Sequence, residues 1–497
     1  MTVTLDGGSL TVDAVIRVAE KGEKVAVGRS SLKRMEKFRS LLEDRVSRGD
    51  VIYGVNTGFG YLSGSVVPRR SVKQLQLNLI RSHAIGVGDP MPVEVVRAAM
   101  TIRLNGLLRG NSAARPALAT MIMEMLDRGV TPHVPWFGSL GASGDLVPSA
   151  HMALTMVGEG RAYHKGTLLG SRAALHRVGL RPVELAAKEG LSLINGTSFT
   201  TALACLAVHR CELLLEAANA SVALTAEVLK GCTQAFDERL MQMRKVEGQR
   251  QVARRISGML KGSRRVRSNP VPQDSYSIRC APQVHGSTRE ALEFALRIVS
   301  GELNSVTDNP VFTEKGDTLH GGNFHAQPVA MALDLLSIAT AYLGGISLAR
   351  IHLLLSSSPS AHKFLAREPG LQSGLMVGEY TASALAAENA KEVYPLSTYP
   401  ANVSVGIEDH ASYGVNSGLK AVRVAENVAR ILAIELVCGS NYASSFEGEL
   451  SPFDRKVCRF VQRVSPPLTG DRSLSEDVGK LAGALLRRPV SQLGAEA

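Results

Sequence analysis

Four stretches of this chain, 202–230, 289–306, 328–354 and 419–437, repeat apolar residues at three- and four-residue spacing, the period of α-helices rather than strands. In 419–437, Leu419, Val422, Val428, Ile431 and Leu432 form an apolar stripe beside a polar one that carries Glu435. Segment 328–354 is apolar on most faces and is interrupted by Asp334 and Arg350, as expected of a helix in the middle of a bundle. Segment 289–306 is expected to stop before Asp308-Asn309-Pro310. Residues 1–190 are more varied. A short extended piece, VIYGVN, and glycine-rich turns alternate with helical patterns at 93–108 and 116–128. Aromatic residues make up only 5%, with Trp136 the single tryptophan, so Leu, Val, Ile and Ala must build the core, which favours helices over a β-sandwich. The expectation is a mainly α protein with a long-helix bundle core, in which a smaller mixed N-terminal region, 1–195, and a bundle region, 196–497, form one continuous unit.

Composition removes several function classes. The net charge of +11 concentrates in 239–267, where ten Lys/Arg face one acid, Glu247. No aromatic residue interrupts this stretch to stack on bases, so a solvated helix face followed by a loop over 261–270 is expected, and no nucleic-acid partner. The six cysteines contain no Cys-x-x-Cys and sit in apolar, helix-like surroundings, the pattern of reduced core thiols in a cytoplasmic protein. The twelve histidines are scattered; His320 and His325 are the closest pair, and no structural metal is expected. MTVTLDGGSL lacks the features of a secretory leader. The longest charge-free run, 190–209, includes Asn-Gly-Thr-Ser and matches a membrane span poorly. A soluble protein without a membrane partner is expected.

The segment that carries chemistry is Gly138-Ser139-Leu140-Gly141-Ala142-Ser143-Gly144-Asp145. As structure alone, it reads as a glycine-rich loop with Ser143 or Asp145 capping a helix over 146–157. As chemistry, Gly144 has no side chain to keep its nitrogen from the Ala142 carbonyl. Ring closure with loss of water, then loss of the Ser143 hydroxyl as a second water, would leave an electron-poor alkene that no ordinary side chain provides.

The run GSLGASGDLVPSAHMAL closely resembles the signature of the histidine and aromatic amino acid ammonia-lyases. Further matches follow in the family order: YGVNTGFG (53–60), LQLNLIRSHAIGVGDP (75–90), SLINGTSF (192–199), QDSYSIRCAPQVHG (273–286), SVTDNPVF (305–312), GGNFHAQPVAMALD (321–334) and IEDH (407–410). The resemblance spans roughly residues 40 to 440, and several spaced motifs in order are a far more specific signal than any one of them.

The resemblance implies a 4-methylidene-imidazol-5-one made from Ala142, Ser143 and Gly144, no metal and no dissociable cofactor. It implies a homotetramer whose sites are shared between chains. It makes Tyr53 the base for the substrate's β-proton, a role for which a phenol needs positive charge nearby. Arg279 would pair with the substrate carboxylate, which suits a guanidinium fork. Tyr276, Asn195 and Gln273 would surround the cofactor and the substrate amine, Phe324 would line the pocket, and Asp145 would assist cyclisation.

His83 falls at the selectivity position, where histidine-specific members and some tyrosine-specific ones carry His and phenylalanine-specific members carry apolar residues. Glu408 stands where many aromatic lyases and aminomutases have Gln, and a carboxylate accepts from an imidazole N–H. The implied reaction is loss of ammonia from L-histidine to give trans-urocanate, with a tyrosine or phenylalanine ammonia-lyase, or an aromatic 2,3-aminomutase, as the alternative. Ile407 in place of the usual Gln, and the divergent STYPANVSVG before it, set this end of the pocket apart from the pattern. A catalytically silent helical scaffold or nucleic-acid-binding protein is disfavoured because the tripeptide, Tyr53 and Arg279 are all intact. A fumarase-like lyase is disfavoured because that group's GSS-type loop is missing.

Overall fold

The computed structural model describes residues 2–269, 272–357, 363–444 and 446–493. The four periodic stretches fold as the helices Ser198–Val228, Ala281–Glu302, Gln327–Ser356 and Gly414–Ala443. Two of these, Ser198–Val228 and Gln327–Ser356, are long and apolar enough to cross a membrane, but their apolar windows are 89% and 61% buried inside the protein, so both are bundle helices. The chain divides into two compact units: residues 1–206, 296–333 and 395–419 form the first, and 207–295, 334–394 and 420–497 the second. The first unit thus holds all of 1–195 together with two later segments.

In the first unit, helices Val93–Leu108, Pro116–Asp127 and Leu146–Met156 follow the sequence pattern closely. Small sheets accompany them. Thr2–Leu5 pairs in parallel with Lys24–Val27, Val87–Pro90 pairs antiparallel with Pro135–Phe137, and Val130–Pro132, Arg161–His164 and Thr167–Gly170 form an antiparallel three-stranded sheet. VIYGVN, expected to be extended, is instead a set of turns. Ile52 and Val55 drop into a buried cluster with Phe38, Leu42, Ala113 and Phe312, an anchoring that alternation along a strand could not give. The helix expected to run to 306 ends at Glu302, because Asn304 turns its side chain to accept from the Leu10 N–H at 2.8 Å and donate to the Leu10 carbonyl at 2.9 Å.

In the second unit, both charges that interrupt 328–354 find partners on the helix Gly414–Ala443. Asp334 lies 2.5 Å from Lys420, and Arg350 donates to both oxygens of Glu435, at 2.6 and 2.9 Å. The two pairs occur in the same order on both helices, so these helices run parallel. Ser347 and Thr225 also donate to Glu435, at 2.6 and 3.0 Å. A buried charge stripped of its partner is far costlier than a pair replaced by apolar groups. Arg350→Met and Glu435→Leu are each expected to cost about 3–5 kcal/mol, and the double variant much less than their sum. A denaturation cycle in which the two losses simply add would contradict this.

The basic stretch is largely ion-paired. Arg239, Arg250, Arg254, Arg255, Arg265 and Arg267 contact Asp237, Glu247, Glu238, Glu216, Glu449 and Asp274 in turn. Its partners come from outside 239–267 in all but one case, which is why the local sequence overstated its charge. The loop expected over 261–270 is irregular through 269, and Pro270 lies outside the described residues. Five of the cysteines are buried, and burial pushes the Cys211 thiol up to about 12.

Candidate active site

Strand Pro135–Phe137 delivers the chain into the loop 138–145, and helix Leu146–Met156 carries it away. The loop is pinned on one side by residues 195–196. Asn195 Nδ2 donates to the Ser143 carbonyl at 2.9 Å, and the Asp145 N–H donates to the Gly196 carbonyl at 2.7 Å. Gly144, at φ 78°, pairs with Gly196 so closely that a Cβ on it would lie 2.4 Å from the Gly196 oxygen. Only glycine fits there. On the other side, the Tyr413 N–H donates to the Leu140 carbonyl at 2.8 Å, and Ser412 Oγ to the Gly141 carbonyl at 3.3 Å.

Asp145 stands at the N-terminus of helix 146–156, but its side chain does not cap that helix. Its carboxylate turns inward, accepting from the Thr200 N–H at 2.7 Å and Thr200 Oγ1 at 2.8 Å. The capping role expected for Ser143 or Asp145 gives way to this buried contact with a residue 55 positions away. Burial pushes the Asp145 pKa up to about 6, against the opposing pull of the Thr200 hydrogen bonds and the Arg103 charge.

The loop forms one wall of a cavity of about 750 Å³, which Tyr53, His83, Ala142, Ser143, Asn195, Phe324 and Glu408 also line. Tyr53 is half-buried. Its hydroxyl accepts from the Gly60 N–H at 3.2 Å, and its ring stands edge-on to Phe59 and His320. Its neighbour Gly54, at φ 70°, packs against Leu191, where any Cβ would collide at 2.2 Å. His83 ends the helix Val72–His83. Its Nδ1 lies 2.8 Å from the Leu79 carbonyl and 3.0 Å from Ser82 Oγ, so either tautomer has a partner and Nε2 can accept or donate. Burial lowers its pKa, opposed by the Leu79 carbonyl and by Glu408. Ser143 Oγ donates to Glu408 Oε1.

Gln273, Tyr276 and Arg279 belong to the second unit, where they line a separate cavity of about 810 Å³. Tyr276 is 69% exposed, and the Arg279 guanidinium lies 4.6 Å over its ring. Both sit on the short helix Tyr276–Arg279, whose Ser277 carbonyl accepts from Arg350 at 3.2 Å.

Several lining residues were not anticipated. Leu75, Asn78, Leu79 and Ser82 face the 750 Å³ cavity from one side of the helix Val72–His83, a spacing that helical periodicity could have flagged once His83 was singled out. Phe59 lies within the YGVNTGFG run. His325 and His410 stack with centroids 5.4 Å apart, a contact between distant segments with no local signal. No Lys or Arg is among the described residues that line this cavity.

The family pattern described as aromatic amino acid lyase matches residues 10–463. Histidine ammonia-lyase of Gloeobacter violaceus is 42% identical over 487 residues, covering 96% of this chain and 95% of the relative. Among solved structures, tyrosine aminomutase from Streptomyces globisporus superposes with a TM-score of 0.95 at 35% identity, covering 100% of this chain and 98% of that one. Histidine ammonia-lyase from Trypanosoma cruzi gives 0.93 at 35% identity, covering 100% and 95%. With the tripeptide loop and its flanking motifs in place, the chain belongs to the aromatic amino acid lyase family.

Proposed function

We propose that this carbon–nitrogen lyase eliminates ammonia from L-histidine to give trans-urocanate. The observation that carries the reading is the meeting of Ser143, His83 and Glu408 in one cavity, with the Ser143 hydroxyl bonded to Glu408. Ala142, Ser143 and Gly144 suit conversion to a 4-methylidene-imidazol-5-one. Gly144 has no room for a side chain, the loop is tied at both ends, and the Asp145 carboxylate is buried beside it. When formed, that group supplies the electrophile the reaction needs.

The chain's own residues do the rest. Tyr53 takes the β-proton at its hydroxyl oxygen, and ammonia departs as the double bond forms. Asn195 orients the cofactor and the substrate amine, and Phe324 lines the pocket. Loss of the Ser143 hydroxyl leaves Glu408 in need of a donor, which the imidazole N–H of histidine provides. His83 Nε2, able to accept or donate, meets the other imidazole nitrogen. Tyrosine offers one hydroxyl to these two groups and phenylalanine offers nothing, and each buried polar group left unpaired costs about 1–3 kcal/mol.

The substrate carboxylate needs a cation that the cavity's own described lining does not include. We assign that role to Arg279, aided by Gln273 and Tyr276, from another copy in a homotetramer. Met331, Leu335 and Tyr342 support assembly: 50%, 40% and 57% exposed, they share one face of the helix Gln327–Ser356. Light scattering that finds an active monomer would contradict it. The buried, unpaired cysteines suit a reducing cytoplasm.

Urocanate, coumarate and cinnamate formation, measured side by side, tests the substrate. The expected order of kcat/KM is histidine, tyrosine, phenylalanine. Glu408→Gln is expected to lower the histidine value roughly 10–100-fold, and the tyrosine value less, since a charge-assisted hydrogen bond is lost only with imidazole. Faster turnover of tyrosine or phenylalanine by the unaltered protein would overturn the assignment in favour of an aromatic lyase or aminomutase.

A further inference from the structure

Arg103 lies in the middle of the helix Val93–Leu108, 5% exposed, with no substrate-facing role in the account above. Its Nη1 donates to the Asn195 carbonyl at 2.8 Å and to the Ser192 carbonyl at 3.3 Å. Its Nη2 lies against Gly196, where a Cβ would come within 3.1 Å of it. Residues 195 and 196 are the edge to which the loop 142–145 is tied through the Ser143 carbonyl, the Asp145 N–H and the Gly144–Gly196 pairing. Nε and Nη2 have no hydrogen-bond partner among the described residues. A guanidinium that makes so few bonds in the interior is a poor investment for stability alone. Its charge, opposed by burial, is supported by Asp308 and Asp145.

We infer that Arg103 is a positioning residue for cyclisation of the tripeptide: its guanidinium holds the 195–196 edge against which the loop closes and places a fixed positive charge behind Asp145. This rests on the reading that Ala142-Ser143-Gly144 becomes the electrophile. In that step the Gly144 nitrogen bonds to the Ala142 carbonyl carbon, and its proton passes to the oxygen. That oxygen leaves as water with the amide hydrogen of Ser143. Ser143 Oγ then leaves as a second water with the Cα hydrogen of the same residue. Atoms balance without an oxidant, but protons must be moved inside a dry site, and an ionised Asp145 is the buried group next in the chain able to accept one.

Four charged groups set the ionisation of Asp145 or of Arg103 beside it. Arg103 favours the Asp145 carboxylate, and Glu302, held by Thr197 at 2.5 Å, opposes it. Asp308 supports the Arg103 charge, and is itself paired with Lys188 at 2.5 Å. Thr200 adds two neutral donors from the helix Ser198–Val228. Removing Arg103 takes away the opposite charge, so Asp145 would hold its proton to higher pH.

The test follows the mass of the full chain over time after cell-free synthesis, at a series of pH values, for the wild type, Arg103→Gln and Arg103→Lys. In the wild type, loss of two waters is expected to accelerate as pH rises through a midpoint near the Asp145 value of about 6. In Arg103→Gln the midpoint is expected to rise by about 1–3 pH units, slowing dehydration at neutral pH by roughly two- to a hundredfold. Arg103→Lys keeps the charge and is expected to restore the midpoint. A wild-type chain that never loses water defeats the reading of the tripeptide itself. A dehydrating wild type with an unshifted midpoint in Arg103→Gln overturns the role of Arg103 alone, even if the rate falls uniformly. Failure of both variants to fold also overturns it, since Arg103 would then serve the fold and not the cyclisation.

Discussion

Ser143→Ala leaves a folded, assembled protein whose histidine turnover falls by more than the roughly 10⁴-fold that loss of an acid–base group produces. The stability change is small because, in our account, the mature wild type has already lost Ser143 Oγ as water, and with it the hydrogen bond to Glu408, so the substitution removes no contact that the active protein keeps. The loop's anchors use the Ser143 carbonyl, the Asp145 amide and the Leu140 carbonyl, and all survive the substitution. The catalytic change is large because alanine has no hydroxyl to lose, so the alkene cannot form, and no other group in the cavity is electrophilic. Urocanate formation and a thermal melt on the same sample separate the two effects. Activity within tenfold of wild type would show that the chemistry does not pass through Ser143.

Tyr53→Phe produces the second-largest loss, roughly 10²–10⁴-fold in kcat, with KM little changed. The ring keeps its contacts with Phe59 and His320, and Ile52 and Val55 keep the turn anchored in the core. What disappears is the hydroxyl, which accepts from the Gly60 N–H and in our account takes the β-proton. Since the half-buried site admits water to the freed amide, substrate binding suffers little. A variant within a few-fold of wild-type kcat would require another base, and His320, edge-on to Tyr53, would be the first to examine.

The long helices were legible because a period of 3.6 sustained over many residues has few other interpretations. The apolar helix interrupted by Asp334 and Arg350 was legible as a bundle helix, although their partners, Lys420 and Glu435, lie far along the chain and could not be named from local pattern. VIYGVN misled because its β-branched and aromatic residues suit a strand, whereas Ile52 and Val55, three positions apart, enter one core from a turn. Asp145 misled in a similar way. Its position before a helix is that of a cap, but burial against Thr200 outweighs a local bond that water could replace. In the site, the motif residues Tyr53, His83, Asn195, Phe324 and Glu408 gather around Ser143 in one cavity, whereas Gln273, Tyr276 and Arg279 stand in the other unit. The motifs identify the parts, but which of them share a cavity is decided by the fold. Arg103 escaped notice because an arginine in a largely apolar helix, which also carries Arg97, matches no motif.

The central claim is that the protein makes its electrophile from its own backbone, and a peptide mass measurement tests it most directly. Active wild-type protein is digested, and the fragment spanning residues 142–144 is weighed. The account predicts a fragment lighter than its sequence by two water molecules. An unmodified Ala-Ser-Gly in protein that turns over histidine at its full rate would contradict the account.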